Sequence, residues 1–220
     1  MSKICFDEHY GLQSAVLHRV KTNTRRTEKG LYSLPVKVRD DEYFITHWEG
    51  DCFLVRKYAG GALLDQAHFK PKFKVGDIVA IAQSYKDADI APSTIVKMID
   101  EGQNLFTPVP AFESAGWKNK LFVKEELMPH NIEITDVRLQ HLQDITDEDA
   151  LKEGVRLFGE QDHLDVAQYY VPGLTHPRTQ IHRTFATPRE AFAALIDKMN
   201  GKGTWKSNPW VVAYTFVLVD

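Results

Sequence analysis

The sequence predicts an α+β fold, a mixed sheet or small β-barrel flanked by short helices. Strand-like segments recur along the chain, only a few short amphipathic helices interrupt them, and a regular strand–helix–strand alternation is absent. With 43% hydrophobic and 26% charged residues over 220 positions, the chain has the composition of one globular core, not of a disordered protein. A single domain over 1–220 is expected.

The elements follow in order. Leu12, Val16, Leu17 and Val20 lie near the helical period, so a short helix is expected over 11–20. At its C-terminal end it delivers His18-Arg19-Val20-Lys21-Thr22-Asn23-Thr24-Arg25-Arg26, with four unambiguous positive charges. Cations are favoured there by the helix dipole, and a solvated helix end is the simplest reading of such a run. Residues 31–58 read as hairpin material: Tyr43–Thr46 and Phe53–Val55 are strand-like, with Glu49-Gly50-Asp51 between them. Gly60-Gly61 then breaks the chain, and Lys74-Val75-Gly76-Asp77 turns into a buried strand at Ile78–Ala82.

Residues 86–120 read as an irregular excursion with a short helix near Ile95–Ile99, and 154–187 as a second irregular stretch. Between them, Asn131–Thr135 alternates as a strand, with Ile132 and Ile134 on one face and Glu133 on the other. Thr146 and Asp149 occupy capping-box positions of a short helix that Gly154 ends. The clearest helix is 188–200. Thr187 and Glu190 cap it, Pro188 opens it, and Phe192, Leu195, Ile196 and Met199 form one apolar stripe, read as core. Trp210–Val219 is a final strand rich in β-branched and aromatic residues.

Several function classes are excluded or disfavoured. The chain lacks a Gly-rich phosphate loop, a Gly-x-Ser-x-Gly elbow and zinc-spaced Cys or His, so neither a metal nor a cofactor is implied. Of the nine histidines, His176 and His182 form the one close pair of the irregular C-terminal stretch. No apolar run approaches the length of a membrane span and the N-terminus lacks a secretion signal, so a cytoplasmic protein is expected; a Cys5–Cys52 bridge stays open. A net charge of -3 argues against bulk electrostatic coating of nucleic acid, but not against a local basic patch.

Lys21-Thr22-Asn23-Thr24-Arg25-Arg26 resembles the Lys-Thr-x-Thr-x-Arg signature of ASCH proteins, in the PUA-like superfamily. Ile132-Glu133-Ile134-Thr135 is similar to that family's Glu-bearing strand, Asp144–Ala150 to the helix after it, Gly76-Asp77-Ile78-Val79 to its Gly-Asp turn, and Asn208-Pro209-Trp210-Val211 to its closing strand. These blocks keep the family's order, and the arrangement looks most like its larger, phage- and gut-bacterium-type members, with insertions at about 31–72, 86–120 and 155–186. The chain departs from the pattern at Arg19, Val20 and Ala82-Gln83, where relatives carry Gly, Arg and an Arg-Glu pair.

The resemblance implies a basic cleft holding RNA or a modified nucleotide, with Arg19, Arg25 and Arg26 as ligand-binding residues and Trp117 or Tyr85 stacking on a base or packing in the core. Its alternative implication is amide hydrolysis on N4-acetylcytidine-like nucleosides by Lys21, Thr24 and Glu133. In that scheme Lys21 takes the proton of Thr24, and Glu133 orients the lysine or shuttles a proton. A structural pair of Lys21 with Glu133, beside a helix-capping Thr24, is the competing reading.

Overall fold

The computed structural model describes residues 2–90, 114–158 and 167–219. In chain order its elements are β1 (Ser2–Ile4), α1 (Leu12–Leu17), β2 (Asn23–Arg26), β3 (Glu42–Glu49), β4 (Cys52–Ala59), β5 (Ala62–Phe69), β6 (Ile78–Ile81), β7 (Asn131–His141), α2 (Asp147–Lys152), β8 (Arg156–Leu157), β9 (Tyr169–Tyr170), α3 (Pro188–Asn200), α4 (Thr204–Ser207) and β10 (Trp210–Val219). The helix expected near Ile95–Ile99 lies outside the described residues. The fold class is α+β, as expected.

The main sheet has the order β1-β6-β7-β10-β2. Only β1 and β6 are parallel; the other neighbours are antiparallel. Of the two sheet forms expected, the open mixed sheet is the one present. Edge strands β1 and β2 do not pair with each other, so the described residues close no barrel. At its centre β7 and β10 pair over ten positions, and Thr135 is an extra residue in β7 where the register shifts. That bulge reverses the alternation: Ile132 and Ile134 are buried before it, Val137 and Leu139 after it. The simple two-residue period seen in the sequence therefore holds for only half of β7.

Strands β3, β4 and β5 form a second, antiparallel sheet. Gly60-Gly61, read from sequence as a break, joins β4 to β5 in a two-residue turn with φ of 54° and 82°. Positive φ at both positions suits a hairpin turn that only glycine enters without cost. The inner face of this sheet contributes Phe53, Val55 and Phe69 to the same core cluster as Ile132, Ile134, Tyr214 and Phe216 of the main sheet. Each such apolar side chain contributes about 1.5–3 kcal/mol on burial.

α3 spans the residues the sequence marked. Thr187 accepts from the Glu190 N–H at 3.1 Å, and Pro188 begins the helix. α1 is shorter than expected. It ends at Leu17, and Arg19 takes a left-handed φ of 60°. The basic tract is thus no solvated helix end, because Asn23–Arg26 runs as a buried strand against β10. Tyr85 is buried beside Val123 and Met128, and Trp117 packs against that cluster. Tyr85 is core, and Trp117 is half-buried at the edge of the cluster. Cys5 and Cys52 are free thiols, and among the described residues no helix is long and apolar enough to cross a membrane.

One pH effect belongs to the fold. Buried Glu42 opens β3 and accepts N–H bonds from Val38 (2.7 Å) and Arg39 (3.2 Å), with Lys57 at 2.9 Å. These partners, the Val38 N–H first, hold its carboxyl at about 2 against an ordinary 4.5. A depressed carboxyl stabilises the fold above its ordinary value and loses that contribution as pH falls toward the folded value. Melting temperatures of wild type and Glu42→Gln should therefore converge as pH drops from about 4.5 to about 2. A constant gap across that window would show that Glu42 does not titrate with folding.

Candidate functional site

β2 is a polar strand inside the molecule, and α2 makes that possible. Arg25 donates to Asp149 (2.6 Å) and Glu153 (3.1 Å), and Lys21 donates to Glu153 (2.6 Å). Asn23 reaches Asp149 at 3.3 Å, and Arg138 of β7 reaches the same carboxylate at 3.4 Å. Asp149 was marked in sequence as a capping residue. Its backbone N–H does meet Thr146 at 3.1 Å, but its carboxylate serves β2. Glu153 precedes Gly154, whose φ of 104° ends α2; a Cβ at Gly154 would lie 3.2 Å from Leu12. Asp149 and Glu153, four residues apart, lie on one side of α2 and so both reach the cations.

Lys21 is 2% exposed, and its ammonium donates to Asn23 O (2.6 Å), Glu153 O (2.9 Å) and Glu153 Oε2 (2.6 Å). All three N–H groups are engaged. Burial pushes its pKa down and Glu153 opposes that shift.

Beside this network lies a cavity of about 700 Å³. Seven of its lining residues are Lys or Arg and three are Asp or Glu, so it favours anions. The cations come from β2 with the segments on either side of it, from β1, and from Lys70 and Lys72 beyond β5. The apolar stripe of α3, Phe192, Leu195, Ile196 and Met199, forms one wall. The sequence reading made that stripe core; Met199 is 43% exposed, and the stripe lines the hollow as well as packing.

Arg26 and Glu28 are among the charged groups of this cavity that form no ion pair among the described residues. Arg26 donates to the Cys5 carbonyl at 2.5 Å and lies 5.4 Å from the Phe6 ring. Its Nε is buried with no partner, and among the described residues no carboxylate lies within ion-pairing distance of its guanidinium. Desolvation lowers its pKa, and the more distant carboxylates of Glu153 and Glu28 oppose that shift. Glu28 accepts from the Tyr214 hydroxyl (2.5 Å) and the Lys72 N–H (2.8 Å), with no cation within ion-pairing distance among the described residues.

The residues marked by sequence divide accordingly. Lys21, Thr24, Arg25 and Arg26 all line the cavity. Arg25 is already held by two carboxylates, whereas Arg26 is not. Arg19 donates to the Leu218 carbonyl (3.1 Å) and is not part of the lining. Glu133 is not part of it either. It pairs across from Val217, while Thr24 pairs across from Tyr214. Those two positions are three apart on β10, so Thr24 and Glu133 point to opposite faces of the sheet. Lys21, Thr24 and Glu133 do not share a hollow; the carboxylate on Lys21 is that of Glu153. Glu28, Glu153, Tyr214 and the lysine rim were not found from sequence. The signal available for Glu28 was its position two residues after Arg26, just past the end of β2.

Among the described residues no group of three His, Cys, Asp or Glu is placed to hold a metal ion. No protein-family model, no curated protein and no solved structure matches the chain.

Proposed function

We propose that this protein is an ASCH/PUA-like binding protein of the cytoplasm whose cavity holds a small anionic, nucleotide-like ligand. The Arg26 guanidinium, its Nε buried and no carboxylate among the described residues within ion-pairing distance, carries the reading. A charge removed from water without a counter-ion is costly, and an incoming phosphate would satisfy it with charge-assisted hydrogen bonds. Lys29 and Lys72 add positive potential at the same cavity, and the apolar stripe of α3 offers a wall against which a base can lie. A hollow of about 700 Å³ suits a mononucleotide better than the length of an RNA strand.

Amide hydrolysis of an N4-acetylcytidine-like substrate is the second reading, favoured by Lys21 and Thr24 lining one cavity. Its base would be an ammonium already donating to three acceptors, so binding is the stronger conclusion. Incubation with N4-acetylcytidine followed by product analysis separates the two. Acetate release that is lost in Thr24→Ala would favour hydrolysis.

The binding test is calorimetric titration with the four ribonucleoside 5′-monophosphates and the matching nucleosides. At least one monophosphate should bind about tenfold or more tightly than its nucleoside, and its affinity should fall as salt rises. Equal affinities, or no binding by any of them, would overturn the proposal.

A further inference from the structure

Glu28 is an acid in a cavity built for anions. Its two oxygens each take one neutral donor, the Tyr214 hydroxyl at 2.5 Å and the Lys72 N–H at 2.8 Å. A carboxylate has about four lone-pair sites, so acceptor capacity remains on both oxygens. The group is also fixed in place. Tyr214 is buried on β10, and its oxygen accepts from the Phe73 N–H at 3.4 Å while its own proton goes to Glu28. Burial and the neighbouring carboxylate keep the phenol protonated, so it stays a donor.

A carboxylate repels phosphate and cannot donate to it when ionised. In the same cavity it therefore faces a part of the ligand that is neutral and donates hydrogen bonds. Arg26, the anion seat, is two residues earlier, at most about 7 Å away between α-carbons. A sugar diol beside a 5′-phosphate has that relation of donor to anion. We infer that Glu28, positioned by Tyr214, accepts hydrogen bonds from vicinal hydroxyls of the ligand and thereby selects ribonucleotides over nucleotides lacking those hydroxyls. The inference rests on the binding reading above, which places the phosphate at Arg26.

The test titrates each of the four ribonucleoside 5′-monophosphates and its 2′,3′-dideoxy counterpart into wild type, Glu28→Gln and Tyr214→Phe. Wild type should prefer the ribonucleotide by about 10- to 100-fold, the size of hydrogen bonds to a charged group. Glu28→Gln should compress that ratio by weakening the ribonucleotide, with the dideoxy ligand unchanged or tighter because the repelling charge is gone. Tyr214→Phe should compress it less, and circular dichroism would establish that both variants fold. Equal affinity for ribo and dideoxy ligands in wild type would overturn the role of Glu28 while leaving the phosphate site standing. So would an unchanged ratio in a folded Glu28→Gln. Failure of every nucleotide to bind wild type would instead remove the binding reading itself.

Discussion

Replacing Arg26 with methionine is expected to weaken nucleoside monophosphate binding by about 10- to 100-fold while the melting temperature holds or rises. The two halves have one cause. The guanidinium makes one hydrogen bond, to the Cys5 carbonyl, and lies near the Phe6 ring; Glu153 and Glu28 attract it from beyond ion-pairing distance, and its desolvation outweighs them. An apolar side chain of similar length removes that cost and keeps the packing, although it leaves the Cys5 carbonyl without its donor. In the ligand-bound protein the same guanidinium gains a phosphate, and methionine cannot replace those bonds. Thermal melts and calorimetry on one preparation check both halves. A large fall in melting temperature would make Arg26 a structural residue, and unchanged affinity would place the anion elsewhere. Arg25→Met provides the contrast, since it strips a cation from Asp149 and Glu153 and should destabilise the fold.

The parts of the fold legible in the sequence are those whose causes are local. Thr187, Pro188 and Glu190 mark the start of α3 within four residues, and Thr146 does the same for α2. The hairpin around Gly50 and the final strand follow from side chains adjacent in the chain. β2 is different. Asn23-Thr24-Arg25-Arg26 is polar enough to read as solvated surface, and it is buried because β10 pairs with it from far along the chain. Asp149 and Glu153 then neutralise Lys21 and Arg25 from a third segment. No local pattern encodes that arrangement.

The candidate site was legible to the same extent. The tract that supplies Lys21, Thr24, Arg25 and Arg26 was found, because cations packed so densely in a mildly acidic chain stand out. Its carboxylate partner was not. Glu133 is conspicuous between two isoleucines on a strand, whereas Glu153 looks like the last polar residue before a helix-ending glycine. Strand pleating turns Glu133 away from Thr24, whereas Glu153, one helical turn after Asp149 at the end of α2, meets Lys21. Strand face and helix face decide the partner, and how the two faces meet depends on segments distant in the chain.

That exchange of partners gives the largest stability effect expected here. Glu153→Gln leaves the Lys21 ammonium and one arm of Arg25 without their shared counter-charge, both in buried positions. Removing one member of a buried ion pair costs about 3–5 kcal/mol. For a chain of this length that corresponds to a fall of roughly 6–20 °C in melting temperature. Glu133→Gln, on a half-buried strand position with no ion pair among the described residues, should change stability by less than about 0.5 kcal/mol. Adding Lys21→Met to Glu153→Gln should recover part of the loss, because the orphaned ammonium is then gone and only Arg25 is left short of a partner. A non-additive recovery in the double-mutant cycle assigns the energy to the pair. Full additivity, or equal effects at Glu133 and Glu153, would mean that the Lys21–Glu153 contact does not hold β2 in place.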